Sequence, residues 1–313
     1  MQHALVLSGG GAKGSWQVGA CMHLIGERGV WFDVISGVSV GAVNGATLAH
    51  ARDLNGLRAH LDRLRTVWFA LRGNDDIYRR RRFGALGMAL GRWRSLYDVT
   101  PLREEVLGRE IDPEQVATSS VRLKVGYMDL RSFRYRTAAN GHPRLRDAVL
   151  ASCAMPFFFP PIPLASGQEL GVDACLGRFA PVADALHSLA ELPPDDDPVE
   201  VWVMMPRGLG KAAPSRIVRK WLHPSFPSVS RRGNDSVVGA VNGSRTFISV
   251  TLSGAILGRA RDVRLRVIHP ERDLAGSFLD FHPANIRRWY EDGLRTARSA
   301  VNPDSRSEES QCE

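Results

Sequence analysis

Three consecutive glycines, Gly9 to Gly11, stand between a short apolar run and a helical pattern in the stretch "LVLSGGGAKGSWQVGA". The run at residues 3–7 stops at glycine and reads as a buried strand. From residue 15 to 27, Trp16, Ala20 and Leu24, with Val18, Cys21 and Ile25, recur at helical spacing until Gly29 ends the pattern. A chain that leaves a strand and enters a helix through so many glycines gives up backbone entropy in exchange for exposed amide donors. A negatively charged group is the natural occupant of such a loop.

The rest of the chain repeats the strand-to-helix theme. "WFDVIS", residues 31–36, is the second strand, and "VGAVNGATLAHA" is a helix of small residues. Residues 55–71 form an amphipathic helix with Leu57, Leu61, Leu64 and Trp68 on one stripe. Thr100 and Pro101 read as an N-cap followed by proline at the first helical position. "RLKVGYMDL" and "SFRYRTA" are two strands joined by a turn, and residues 144–154 a helix stopped by Pro156. "ELGVDA" and "VEVWVMM" are strands, with a surface link at residues 193–198 between the helix that follows the first and the second. A late strand at 262–268 closes at Pro270, and a final helix at 284–300 carries Ile286, Trp289, Tyr290 and Leu294. The tail from Pro303 is polar and expected to be disordered. No internal repeat is present. This succession predicts an α/β fold with a mostly parallel sheet covered on both faces.

Three readings of the first glycine loop are open. Gly9, Gly11 and Gly14 satisfy G-x-G-x-x-G, the dinucleotide fingerprint. That reading wants an acidic residue at the end of the second strand, whereas Asp33 lies at its start and nothing acidic follows Ser36 until Asp53. A phosphate-binding loop would need G-K-[ST], and here Lys13 is followed by Gly14 and Ser15. An oxyanion hole built from the amides of Gly9, Gly10, Gly11, Ala12 and Gly14 is the second reading, and a plain tight turn the third.

"GVSVG", Gly37 to Gly41, follows the second strand and opens the next helix. It is G-x-S-x-G in the strand–turn–helix context a nucleophile elbow requires. Ser39 would stand clear of the sheet, Gly37 and Gly41 would remove colliding side chains, and the helix would turn its positive end toward the serine. A serine that merely caps the helix is the alternative. A serine nucleophile needs a base. Late histidines are candidates in the Ser-Asp-His order, namely His269 beside Pro270 and His282 before Pro283, but neither sits in a telling context. Asp173, at the end of "ELGVD" and entering a loop that leads to Pro181, is the better one.

The segments "SGGGAKG", "SGVSVGAVNGA", "ASCAMPFFFPP" and "VDACLGRFAP", in that order, resemble the patatin-like phospholipases, and "VIHPERDLAGSFLDF" and "YEDGLRTA" resemble that family's C-terminal region. The resemblance runs from about Ala4 to Ala300. It implies a three-layer α/β/α sandwich forming one domain over residues 1–302, with a Ser-Asp dyad and no metal or other cofactor. Ser39 would attack a fatty-acyl ester of a phospholipid or lysophospholipid, Asp173 would accept its proton, and the glycine loop would hold the oxyanion. One motif departs from the pattern. The family's aspartate is followed by glycine and then glycine or alanine, where this chain has Ala174 and Cys175, and Phe179 stands where asparagine is expected. Two alternatives follow: a catalytically weak or inactive patatin-like protein that binds lipid or a partner, and, more remotely, a nucleotide-binding protein using Gly9–Gly14. Cys175 reads as a small buried filler rather than a second nucleophile.

The chain carries 41 Lys and Arg against 33 Asp and Glu, a net charge of +8. Such a balance suits an anionic partner, a membrane surface or nucleic acid; an arginine-biased genome would also account for it. "RRRRFGALGMALGRWRS", residues 79–95, has six arginines and no acid, interleaved with Phe83, Leu86, Met88, Leu90 and Trp93. It resembles an interfacial segment, and residues 73–97 and 207–235 are candidates for mobile basic flaps that touch an anionic bilayer; a solvated surface loop is the plain alternative. No nucleic-acid-binding fold frames these segments, so no nucleic acid is expected as partner. The four cysteines, Cys21, Cys153, Cys175 and Cys312, form neither C-x-x-C nor a zinc spacing, which argues for a reducing compartment. With no signal peptide read at the start and no run of about 18 apolar residues, the expectation is a cytoplasmic protein, peripheral at a membrane, with export by a signal-independent route left open.

Overall fold

Alternation along the first strand sets the layers. In β1 (His3–Leu7), Ala4 and Val6 enter one apolar cluster while Leu5 and Leu7 enter another, and all four are fully buried. Side chains with a period of two must do this when a sheet is covered on both faces. The computed structural model of the chain describes residues 1–82, 84–91, 94–176, 178–193, 197–208, 238–243, 247–252 and 262–301. The expected basic flap at 207–235 and the polar tail lie almost entirely outside the described residues.

In chain order, β1 leads through the glycine loop to α1 (Gly14–Cys21), which continues as a π-helical stretch, Met22–Glu27. β2 (Val34–Val38), α2 (Val40–Leu48) and α3 (Leu54–Ala70) follow. A small ribbon of β3 (Arg79–Arg80) and β4 (Tyr97–Asp98) brackets α4 (Gly84–Ala89). The helical stretch Leu102–Leu107 runs into α5 (Gly108–Glu110), and α6 (Pro113–Ala117) precedes the hairpin of β5 (Arg122–Asp129) and β6 (Arg134–Ala139). Then come α7 (Leu145–Ser152), β7 (Ile162–Leu164), β8 (Glu169–Asp173), α8 (Val182–Ala190) and β9 (Val199–Met204). β10 (Val238–Gly243), β11 (Phe247–Leu252), β12 (Val263–Ile268) and α9 (Pro283–Val301) complete the described chain.

Among the described residues, one sheet holds the order β10-β11-β12-β9-β1-β2-β5-β8-β7, with β6 on β5. The central strands β12, β9, β1, β2 and β5 are mutually parallel, and the strands outside them pair antiparallel. The mostly parallel central sheet expected from the sequence is present in these five strands, with antiparallel strands at its margins. Helices α1, α2, α3, α7 and α9 contribute to the cluster that covers one face, and α8 packs Val182, Ala185, Leu186 and Leu189 on the other.

Several local expectations shift. The second strand starts at Val34 rather than residue 31, because Asp33 is taken by the turn: its carboxylate accepts from the His3 N–H and the Trp31 indole. The first helix has no polar face. Every residue of α1 is buried, since α9 lies across its outer side and Asp292 accepts from the Trp16 indole. The helices read at 40–51 and 144–154 end at Leu48 and Ser152. Thr100 does not cap its helix; its N–H and hydroxyl both donate back to Asp98. The strands β3, β4, β7, β10 and β11 had no counterpart in the sequence reading. Among the described residues no helix is long and apolar enough to cross a membrane.

Candidate active site

Two strands end on one edge of β5. β2 pairs parallel with it as far as Val38 opposite Gly126, and β8 pairs antiparallel from Asp173 opposite Tyr127. β6 occupies the other edge along the same stretch. The C-terminal ends of β2 and β8 therefore meet head-on at the junction between Gly126 and Tyr127. Ser39, the residue after Val38, is brought against Asp173 by strand register alone.

Ser39 sits at φ 54°, ψ −133°, a backbone conformation that a side-chain-bearing residue adopts at a cost of about 1–3 kcal/mol. Its surroundings enforce it. A Cβ at Gly37 would overlap the Gly41 carbonyl, and one at Gly41 would overlap the Leu7 carbonyl, so the strand, the turn and α2 approach as only glycine permits. The Ser39 N–H donates to Ser152 Oγ at 2.7 Å, and the Ser152 hydroxyl donates to the Gly126 carbonyl at 2.5 Å. Ser152, fully buried at the end of α7, thus ties the elbow to β5. The sequence reading gave Ser152 no role, although it lies in the "ASCAMPFFFPP" segment that carries part of the family resemblance.

Asp173 is almost wholly buried. Its N–H donates to the Ala154 carbonyl at 3.0 Å, and its Oδ1 accepts from the Cys175 N–H at 2.8 Å. Burial pushes its carboxyl above the usual aspartate value; hydrogen bonding from the Cys175 N–H and from the adjoining Ser39 and Cys175 side chains offsets part of the rise. The Cys175 thiol is pushed well up by burial and by the neighbouring Asp173 charge, so it stays protonated and is a poor nucleophile. Its sulfur fills the space over Gly9, where Ser39 also borders. The loop beyond is anchored by Arg178, which pairs with Asp184 at 3.3 Å and lies over the Tyr135 ring.

The glycine loop separates into engaged and free amides. The Gly9 N–H donates to the Phe179 carbonyl, the Ala12 N–H to the Phe278 carbonyl and the Gly14 N–H to the Gly11 carbonyl. Among the described residues the N–H groups of Gly10 and Gly11 have no partner. Both residues border a cavity of about 410 Å³ together with Ser39 and Asp173. Its remaining wall is largely apolar: Val43, Leu64, Trp68, Leu71, Ile77, Leu102, Val106, Met155, Phe159, Leu279 and Phe281. Besides Asp173, Lys13, Glu110, Arg207 and Asp273 supply charge at the wall, and the Lys13 ammonium is held by the Leu274 carbonyl at 2.7 Å.

The competing candidates lie elsewhere. His269 and His282 are absent from this wall. His269 is buried with Nδ1 donating to the Pro270 carbonyl, and His282 accepts from the Ala284 N–H. Asp33, which a dinucleotide site would have wanted near the glycines, caps the opposite end of the sheet. Among the described residues no cluster of three or more His, Cys, Asp or Glu is placed to hold a metal ion.

Residues 5–186 match the family model described as patatin-like phospholipase, a stretch that runs from β1 into α8 and includes Ser39 and Asp173. No curated protein matches the chain. Among solved structures, VipD from Legionella pneumophila is similar with 13% identity and a TM-score of 0.42, covering 95% of this chain and 66% of that one. The human GIVD cytosolic phospholipase A2, solved with methyl gamma-linolenyl fluorophosphonate, is similar with 12% identity and a TM-score of 0.44, covering 96% and 57%. ExoU from Pseudomonas aeruginosa, solved with SpcU, shares 17% identity at a TM-score of 0.30, covering 74% and 52%. The chain thus spans between about half and two thirds of the length of these solved chains.

Proposed function

The chain belongs to the patatin-like phospholipase family, and from that premise we propose that it is a serine acyl hydrolase acting on fatty-acyl esters of phospholipids or lysophospholipids. The observation that carries the reading is the meeting of Ser39, Asp173 and the free Gly10 and Gly11 amides at the wall of one apolar cavity.

In this mechanism the Ser39 hydroxyl attacks the ester carbonyl while its proton passes to the Asp173 carboxylate. An aspartate at its ordinary pKa is a feeble base, and burial makes this one stronger. Negative charge develops on the carbonyl oxygen, where the Gly10 and Gly11 N–H groups, at the entrance to α1, stabilise it. The expected hole of five residues narrows to these two, since Gly9, Ala12 and Gly14 spend their amides on protein carbonyls. Collapse of the intermediate expels the alcohol, which takes the proton from Asp173 and leaves an acyl ester on Ser39. Water then attacks that ester, Asp173 takes its proton, and on release of the fatty acid the proton returns to Ser39 Oγ. The substrate is drawn from a lipid phase, and peripheral contact with an anionic bilayer belongs to the same reading.

A second reading is favoured by one observation. The Cys175 side chain adjoins both Ser39 and Asp173, where the family carries glycine or alanine. A thiol that competes for the carboxylate would give a slow enzyme or a lipid-binding relative.

A fluorophosphonate probe together with a panel of phospholipids and lysophospholipids tests both. Wild type is expected to be labelled and to release fatty acid, and Ser39→Ala to do neither. Labelling that survives Ser39→Ala defeats the nucleophile assignment. A folded wild type that neither labels nor hydrolyses any lipid supports the second reading.

A further inference from the structure

Among the described residues, four large apolar side chains are strongly exposed: Met1, Leu90, Phe133 and Phe157. Two of them fall on one structural unit. Phe157 is 73% exposed at the tip of a turn, and that turn is stitched to the β3–β4 ribbon: the Leu96 N–H donates to the Phe157 carbonyl and the Tyr97 N–H to the Phe158 carbonyl, both at 2.9 Å. Leu90, 72% exposed, follows α4, which the same ribbon brackets.

Phe157 is unfavourable twice over. It exposes an aromatic ring to water, and it holds φ at +70°, a region bulky residues avoid. Its neighbours in the turn are well placed: Phe158 stacks on Tyr97 at 6.2 Å and 9°, while Met155 and Phe159 face the catalytic cavity. The turn therefore puts one ring outside the cavity rim and two side chains inside it. Along residues 79–98 the charge is mostly basic. Arg79, Arg80 and Arg94 are exposed, the only acid on the two strands of the ribbon is Asp98, and Arg81 pairs with it at 3.7 Å.

We infer that Phe157 and Leu90, with Arg79, Arg80 and Arg94, form a docking face for an anionic lipid bilayer at the rim of the cavity. Guanidinium groups match lipid phosphates, and an exposed aromatic ring beside them enters the boundary between headgroups and acyl chains. Insertion removes the ring from water, offsetting the cost that the free protein bears. The choice of lipid as occupant rests on the hydrolase reading, because the turn that carries Phe157 also places Met155 and Phe159 on the wall of the cavity.

The test is sedimentation with vesicles of phosphatidylcholine alone and of phosphatidylcholine mixed with phosphatidylglycerol, alongside soluble fluorophosphonate labelling. Wild type is expected to bind the mixed vesicles, and less so as salt rises. Phe157→Asn keeps a residue that tolerates the left-handed backbone, and the paired change Arg79→Gln, Arg80→Gln alters only exposed side chains. Each is expected to weaken binding about tenfold while the melting temperature stays at the wild-type value. Wild-type binding by Phe157→Asn, no preference of the wild type for anionic vesicles, or equal retention by single-stranded RNA would overturn the proposal. Labelling of Ser39 without vesicle binding sinks this inference and leaves the hydrolase; vesicle binding without labelling does the reverse.

Discussion

Asp173 carries opposed demands. In the proposed mechanism its burial strengthens it as a base, yet every ionised carboxylate held out of water costs stability. The native state binds the Asp173 proton more tightly than the unfolded chain, whose aspartate stays near 3.8. The cost is therefore fully present above the native pKa, declines as pH falls through it, and is gone below 3.8. Two outcomes are expected. On a soluble ester, kcat/KM falls at acid pH along a limb whose midpoint lies above 3.8. At pH 7, Asp173→Asn lowers kcat by about 10²–10⁴-fold, the usual contribution of a general base, while its melting temperature equals or exceeds that of wild type. A melting temperature several degrees lower would mean that the charged carboxylate is a net stabiliser. Ser152 belongs to the same scale, because its hydroxyl holds the Ser39 N–H. Ser152→Ala leaves the buried Ser39 N–H unpaired, at a cost of about 1–3 kcal/mol, and relaxes the elbow. Calorimetry should register the loss, and the rate of fluorophosphonate labelling should fall; Ser152→Thr, which restores the hydroxyl, should recover part of it.

At the scale of elements, the site depends on how α1 is held. The glycine loop is the entrance to α1, and α9 crosses that helix at van der Waals contact. A Cβ at Gly19 would overlap the Tyr290 carbonyl, and one at Gly293 would overlap the Trp16 carbonyl, so both surfaces are flattened by glycine. Main chain yields less than a side chain does. Gly19→Ala and Gly293→Ala are each expected to cost at least about 1–3 kcal/mol in denaturant unfolding, and to slow Ser39 labelling as α1 shifts. If either protein labels at the wild-type rate despite lower stability, the loop is positioned independently of the crossing. The late segment reinforces the same placement, since the Phe278 carbonyl accepts from Ala12 and the Leu274 carbonyl from Lys13.

For the whole molecule, the capacity of the cavity limits the proposed substrate. An apolar cavity of about 150 Å³ admits benzene, or about 25 Å³ per carbon. On that scale the 410 Å³ beside Ser39 has room for about 16 apolar carbons, the size of one acyl chain rather than two. Hydrolysis rates across a series of lysophospholipids should rise with chain length and then drop beyond this range. Val106→Trp, which fills part of the wall, should move the optimum shorter by a few carbons; an unchanged profile would place the acyl chain elsewhere.

What the sequence determined by itself was local. The apolar run before Gly9, the "GVSVG" turn and the stripe of Leu57, Leu61, Leu64 and Trp68 identify two strand-to-helix turns and the helices around them, because periodicity and turn chemistry act over a few residues. Asp173 was nominated by motif rather than by physics. Only the tertiary structure decided that β2 and β8 share an edge of β5, and hence that Ser39 meets Asp173. It also decided which glycine amides are free, because the carbonyls that occupy the Gly9 and Ala12 N–H groups come from Phe179 and Phe278, far along the chain. Strand order, register and long-range hydrogen bonds join distant segments, and no local pattern in either segment records its partner.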